Sequence, residues 1–223
     1  MTAQSTRRTR RSIPSPTNPT ALMAALRTNI AANLAAIDGL GVPSGASAQP
    51  CATPVLVDWL AHLEDRLPGS ETPRRQAIRS GLILGLADPA VRGQQSAVDV
   101  LIGQITHSPA LGHGVAESAA STLAKVATPK HFPQIASLLA GPLDDAARFW
   151  LIRYLRKCKT VEARDIAVSY LGTPFTVAAL VALTGMGARG VRPLVAPLLD
   201  HPQREVRLQA KRALTRLPLD ELA

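Results

Sequence analysis

The chain has 223 residues, room for one domain with a sizeable core or for a short repeat array. Aromatic residues make up 3% of it and the apolar 46% is mostly Ala, Leu, Val and Ile, a mix that suits packed helices rather than a sandwich or barrel. Its two cysteines, Cys51 and Cys158, exclude a disulfide scaffold or a cysteine-based zinc knuckle, no stretch reaches the roughly 18 uninterrupted apolar residues of a membrane helix, and 25 Lys+Arg against 16 Asp+Glu leave a net charge of +9.

Residues 1–18 hold four arginines, three or fewer apolar side chains and no acid. Such a segment cannot bury enough surface to offset its ordering entropy, so a disordered basic tail is expected. The same arginines also fit an organellar transit peptide, the alternative to a cytoplasmic chain. Residues 19–38 place Leu22, Ala25, Leu26, Ile30, Leu34 and Ile37 near helical spacing, which predicts an N-terminal helix. Residues 39–53, rich in Gly, Pro, Ser and Ala, read as a linker.

From residue 54 the punctuation becomes regular. Pro follows a small polar residue at Thr72-Pro73, Asp88-Pro89, Ser108-Pro109, Thr128-Pro129 and Thr173-Pro174, the pattern of an N-cap with Pro at the first helical position. Helices are predicted at 54–66, 73–87, 89–106, 113–127, 129–140, 145–158, 161–171, 174–185, 188–199 and 203–217. Short linkers make them antiparallel pairs. Alternate helices start at 54, 89, 129, 161 and 188, hence 35, 40, 32 and 27 residues apart. Periods of that size predict an all-α solenoid over 54–223, in which each pair needs its neighbours to bury its apolar stripe.

The last pair carries a resemblance. Val191, Pro193, Leu194, Leu198, Leu199 and Asp200, followed by Val206, Arg207, Ala210, Ala213 and Leu214, resemble a HEAT repeat of the phycobilin-lyase-like type. Ile135, Leu138, Leu139, Asp145, Ala146, Ala147, Leu151 and Leu155 are similar, with Ala147-Arg148 in place of the Val-Arg pair. The resemblance covers 129–217 well and 54–217 by helix length and period alone. It implies a right-handed α-α superhelix of about five pairs whose second helices line a concave face, and it is nearly silent on function.

Nothing in the sequence signs for an enzyme. His62, His107, His113, His131 and His201 are scattered without ligand spacing, so no metal or other cofactor is expected. Gly112-His113-Gly114 and Gly185-Met186-Gly187 match no phosphate-binding fingerprint. Cys158 reads as a small buried hydrophobe. Asp144, Asp145 and Asp200 read as helix N-caps, each contributing about 1 kcal/mol.

Charge placement is informative. Residues 39–144 carry seven basic and eight acidic side chains, whereas 145–223 carry thirteen against seven. Arg204, Arg207 and Lys211 recur at spacings of three and four along one strip of the last helix. Arg148, Arg153 and Lys157 mark 145–158, with Trp150 beside them. These seven residues are the candidate binding site. The expected function is a non-catalytic interaction or adaptor module that holds a protein partner of acidic surface, with no membrane contact. The alternative is nucleic-acid binding, since aromatic and basic residues together can hold a strand. In size and architecture the chain also resembles the HEAT-like alkylpurine DNA glycosylases, for which only Trp150 with Asp144 or Asp145 could serve. Charge reversal at Arg74 and Arg75, in the near-neutral half, is expected to matter little for partner binding.

Overall fold

The computed structural model describes residues 53–107, 109, 111 and 114–219. The expected tail, the N-terminal helix, nearly all of the linker, Cys51 and His113 lie outside the described residues. Eleven α-helices follow one another, and there is no strand among the described residues. They are α1 (Thr53–Ala61), α2 (Leu63–Arg66), α3 (Pro73–Gly85), α4 (Gln95–Ile105), α5 (Val115–Val126), α6 (Phe132–Ala140), α7 (Asp145–Tyr154), α8 (Val161–Ser169), α9 (Thr176–Met186), α10 (Arg192–Val195) and α11 (Arg204–Arg216).

Side chains ahead of three of the helices explain where those start. Thr72 Oγ1 accepts from the Arg75 N–H at 3.2 Å, and Thr160 Oγ1 from the Ala163 N–H at 3.2 Å. Asp144 Oδ1 accepts from the N–H groups of Ala146 and Ala147 at 2.9 and 3.3 Å. Each satisfies an N–H that has no partner inside its helix. At Thr128 the roles are reversed: its N–H donates to Nδ1 of His131 at 2.9 Å, closing the 3₁₀ turn Pro129–His131 that leads into α6.

Several predicted helices are interrupted, each for a local reason. The span 54–66 breaks at His62 into α1 and α2. The span 89–106 is a 3₁₀ turn, Pro89–Val91, then a break before α4. Gly93 makes that break, with a φ of 81° that L side chains rarely adopt, and its N–H donates to the Val126 carbonyl at 2.9 Å. Pro109 starts no helix: it is non-helical, and α5 begins at Val115 after Gly114. The span 188–199 is one α-turn, α10, extended by the 3₁₀ turn Ala196–Asp200. Asp200 therefore ends that turn and does not cap α11, whose N-cap position is Gln203, with no side-chain cap bond.

The core runs along the helices rather than at one centre. Leu60, Leu82, Ile83 and Leu86 are fully buried at one end. Leu101, Ala119, Ala120, Leu123, Ala147, Leu151 and Ile152 continue it, then Ala178, Leu180 and Leu183, then Ala210 and Ala213. Alanine at so many inner positions lets helix axes approach closely. The odd-numbered helices touch in sequence, α1 on α3, α3 on α5, α5 on α7, α7 on α9 and α9 on α11. Between them, α4 packs on α5, α6 on α7, α8 on α9 and α10 on α11. Helix α9, in contact with α7, α8 and α11, buries Thr176, Ala178, Ala179, Leu180, Ala182, Leu183 and Met186, as a helix packed on several sides must.

Candidate functional site

The seven sequence-derived candidates fall into three environments. Arg148, on the first half of α7, turns its guanidinium onto the end of α6. It donates to the carbonyls of Leu139 at 2.9 Å and Gly141 at 3.1 Å, and to Tyr170 Oη at 3.1 Å. Lys157, in the 3₁₀ turn Leu155–Lys157 that extends α7, does the same for α5, donating to Lys125 O and Ala127 O, both at 2.8 Å. Arg207 reaches back to His201 O at 2.7 Å and Pro202 O at 2.8 Å. Helix C-termini leave carbonyls without partners, and these three cations supply donors to helix ends and turns.

Arg153 and Trp150 form a second environment. The Arg153 guanidinium lies 5.2 Å from the Trp150 ring centroid and 5.5 Å from that of Phe149, and the two rings meet edge to face at 5.6 Å. Trp150 Nε1 donates to Glu117 Oε1 at 3.4 Å. The indole therefore has a cation on one side and a carboxylate at its edge.

Arg204 and Lys211 are the third. Both are exposed on α11 and neither has an ion-pair partner among the described residues. Leu208 sits between them, four residues after Arg204 and three before Lys211, and is 46% exposed. Helical spacing places all three on one face. Sequence patterning grouped the charges of α11 and missed this leucine, whose exposure shows only once the buried stripe of Val206, Ala210 and Ala213 is placed.

A basic depression of about 530 Å³ lies elsewhere, lined by Arg92, Ala124, Lys125, Arg156, Lys157 and Gly185. Four chain segments meet there: the turn before α4, the end of α5, the 3₁₀ end of α7 and the end of α9. Arg92, Lys125 and Arg156 are exposed, and none of the four cations has a carboxylate within ion-pair distance among the described residues. Burial, with the charges of Arg92 and Arg156, pushes the Lys157 ammonium down to about 8. No sequence signal groups these residues. Arg92 and Lys125 are isolated cations in the near-neutral half, and only packing brings them to Arg156 and Lys157.

The near-neutral half holds a different cluster. Arg79 is fully buried. It donates to Glu71 Oε1 and Oε2 at 3.2 and 3.0 Å, to Glu64 Oε1 at 2.7 Å and to Gln104 Oε1 at 2.6 Å. Arg75, 6% exposed, donates to the Gly69 carbonyl and lies 3.3 Å from Glu71. A carboxylate in place of Arg75 would face Glu71 and Glu64, so reversal there acts on the fold and Arg75 is not a surface control for partner binding. Arg74 is exposed. No group of His, Cys, Asp and Glu among the described residues is placed to hold a metal ion, and no helix among them is long and apolar enough to cross a membrane. The chain matches no known family model and no curated protein, so its function must be argued from these residues.

Proposed function

We propose that the chain is a HEAT-like α-solenoid that serves as a non-catalytic interaction module, binding a protein partner of acidic surface along its second helices. Two features of the packing support the architecture. Helices α3, α5, α7, α9 and α11 touch in succession, and a preceding helix packs against each of the last four, as repeats that share a core with their neighbours do.

The observation that carries the function is the α11 face, where Arg204, Leu208 and Lys211 are exposed together. Isolated surface arginines are ordinary. An exposed leucine inside a basic strip suits a partner with an apolar anchor rimmed by carboxylates, because apolar contact gives affinity and charge gives steering and register. A phosphate backbone would gain nothing from Leu208. Trp150, already in contact with Glu117 and Arg153, offers no free stacking platform of the kind strand binding uses. Asp144, whose Oδ1 accepts two helix N–H groups, acts as a cap.

The test is co-purification from a native lysate by the wild type and by the double variant L208E/K211E. A stoichiometric protein partner is expected with the wild type, and its retention should fall more than about tenfold in the variant at unchanged melting temperature. Equal retention by both proteins, or recovery of nucleic acid alone, overturns the proposal.

A further inference from the structure

We propose that the depression formed by Arg92, Lys125, Arg156 and Lys157 is a binding site for a compact polyphosphate group, two or more phosphates held together. Like charges repel, and four cations lining one depression, with Arg92 and Arg156 acting on Lys157 and no carboxylate among the described residues within ion-pair distance, are a cost to the fold. The arrangement is not needed to cap a helix. Lys157 alone does that, through Lys125 O and Ala127 O. The heads of Arg92, Lys125 and Arg156 make no hydrogen bond or ion pair to another described residue and can receive an anion.

The backbone is shaped to the same end. Gly93, with its φ of 81°, turns the chain so that Arg92 comes to the end of α5, held by the Gly93 N–H on Val126 O at 2.9 Å. Gly185 lets the ends of α7 and α9 approach: a Cβ there would stand 2.6 Å from Arg156 Cβ. That approach sets the arginine at the rim and leaves the floor without a side chain.

The lining also narrows the ligand. Two guanidiniums and two ammoniums match phosphate oxygens in charge and in donor geometry. Ala124 and Gly185 complete the wall, and among the described residues no exposed aromatic ring lines it for a base to stack on, Tyr154 beside Lys157 being buried. At about 530 Å³ the depression exceeds a single phosphate, and its four cations share one depression rather than a line along several helices. A free polyphosphate and the phosphates of a polyphosphorylated inositol lipid share this chemistry. An anion at this position would also restore the Lys157 ammonium from about 8 towards its ordinary range, so binding should take up protons in mildly alkaline solution.

The experiment is titration calorimetry of the full chain at low ionic strength, with inorganic pyrophosphate as the probe. Saturable binding is expected, weakening with added salt. The exposed pair variant R92Q/K125Q should lose more than about tenfold in affinity at unchanged melting temperature, while R204Q/K211Q on α11 binds as the wild type does. Sulfate, whose charge is constant in this range, supplies the second readout. Its heat near pH 8 should depend on buffer ionisation enthalpy as proton uptake by Lys157 requires. Vesicles bearing polyphosphorylated inositol lipid separate the sources: retention reversed by pyrophosphate assigns the lipid headgroup, and no retention assigns a free polyphosphate. Absence of saturable pyrophosphate binding, equal affinity in R92Q/K125Q, or equal loss in R204Q/K211Q overturns the proposal. So does a duplex DNA complex that pyrophosphate fails to displace. Because the α11 variants are read separately, this outcome and that of the adaptor proposal are independent.

Discussion

Arg79→Met is the most informative single perturbation of the fold. It keeps the aliphatic stem of a side chain that is 0% exposed and removes donors to Glu64, Glu71 and Gln104. Removing one partner of a buried pair typically costs about 3–5 kcal/mol. Here Glu64 is 43% and Glu71 23% exposed in their side chains, so water recovers much of their solvation and the charge contribution is reduced. Gln104, 6% exposed, is less favoured, and an unmet buried acceptor costs roughly 1–3 kcal/mol. The two together place the loss near 3 kcal/mol. For a body of this size each kcal/mol lowers the melting temperature by about 2–4 °C, so a drop of around 6–12 °C is expected in a thermal scan followed by circular dichroism. Arg79 joins α3 to α2 and, through Gln104, to α4, so protection of amide protons in α1–α4 should fall before that of α9 and α11. A loss below about 1 kcal/mol would refute the reasoning, since the cluster would then behave as an exposed ion pair. Acid provides a second route to the same bonds. Burial alone would raise the Glu64 carboxyl, but the hydrogen bond and charge of Arg79, with His107 nearby, outweigh it and hold it below the usual range. A depressed carboxyl contributes stability that is present above its unfolded value near pH ~4.3 and is lost as pH falls through the folded value. In Arg79→Met that acid sensitivity should diminish.

Two further outcomes test other parts of the fold. Gly185→Ala improves helix propensity by about 0.5–1 kcal/mol, yet its Cβ would meet Arg156 Cβ at 2.6 Å and shift backbone at about 1–3 kcal/mol; urea denaturation should show a net loss, and a gain would mean that α7 and α9 do not approach this closely. Burial pushes His131 below its ordinary value, with Lys130 adding to the effect, and its Nδ1 accepts from the Thr128 N–H. Its contribution is therefore fully present above about pH 6.5 and is lost as pH falls through the folded value; the melting temperature of His131→Gln should be flatter in this range than that of the wild type, and parallel curves would contradict the assignment.

Helix positions were legible because capping is local. Thr72, Asp144 and Thr160 lie next to the N–H groups they accept from, so short stretches of sequence carry the information. The breaks were less legible because they depend on distant partners. Gly93 interrupts 89–106 only in conjunction with Val126, to which its N–H bonds. Arg79 illustrates a signal present but open to misreading. Arg75, Arg79, Leu82 and Leu86 recur at spacings of four, three and four, so the buried stripe of α3 continues backwards from its leucines onto two arginines. Composition made them solvent-facing. Periodicity placed them inside, and only the carboxylates of Glu64 and Glu71, brought from the preceding segment, make that placement tolerable.

The same reasoning separates charge from binding capacity. Spacing assigns an arginine to a helix face, but its long, flexible stem can carry the head to another element altogether. Arg148 and Lys157 end on the carbonyls of neighbouring helices. So does Arg192, which donates to Leu214 O and Leu217 O at the end of α11. Each ties down a helix C-terminus, Arg148 and Arg192 within their own pair and Lys157 in the preceding one, where cations also offset the negative end of the dipole. A guanidinium held by two carbonyls adds to the field felt at a distance, but it is poorly placed to grip an anion. Counting charge by segment therefore pointed to the C-terminal part, with thirteen basic groups over 145–223, and away from 39–144, with seven against eight acids. Yet Arg92 and Lys125 come from that second segment, with heads that no carboxylate among the described residues holds, and packing sets them beside Arg156 and Lys157. Which cations of a basic, all-helical chain are left to face an anion depends on which ones its own helix ends hold, and that is a property of the packed helices rather than of any one stretch of sequence.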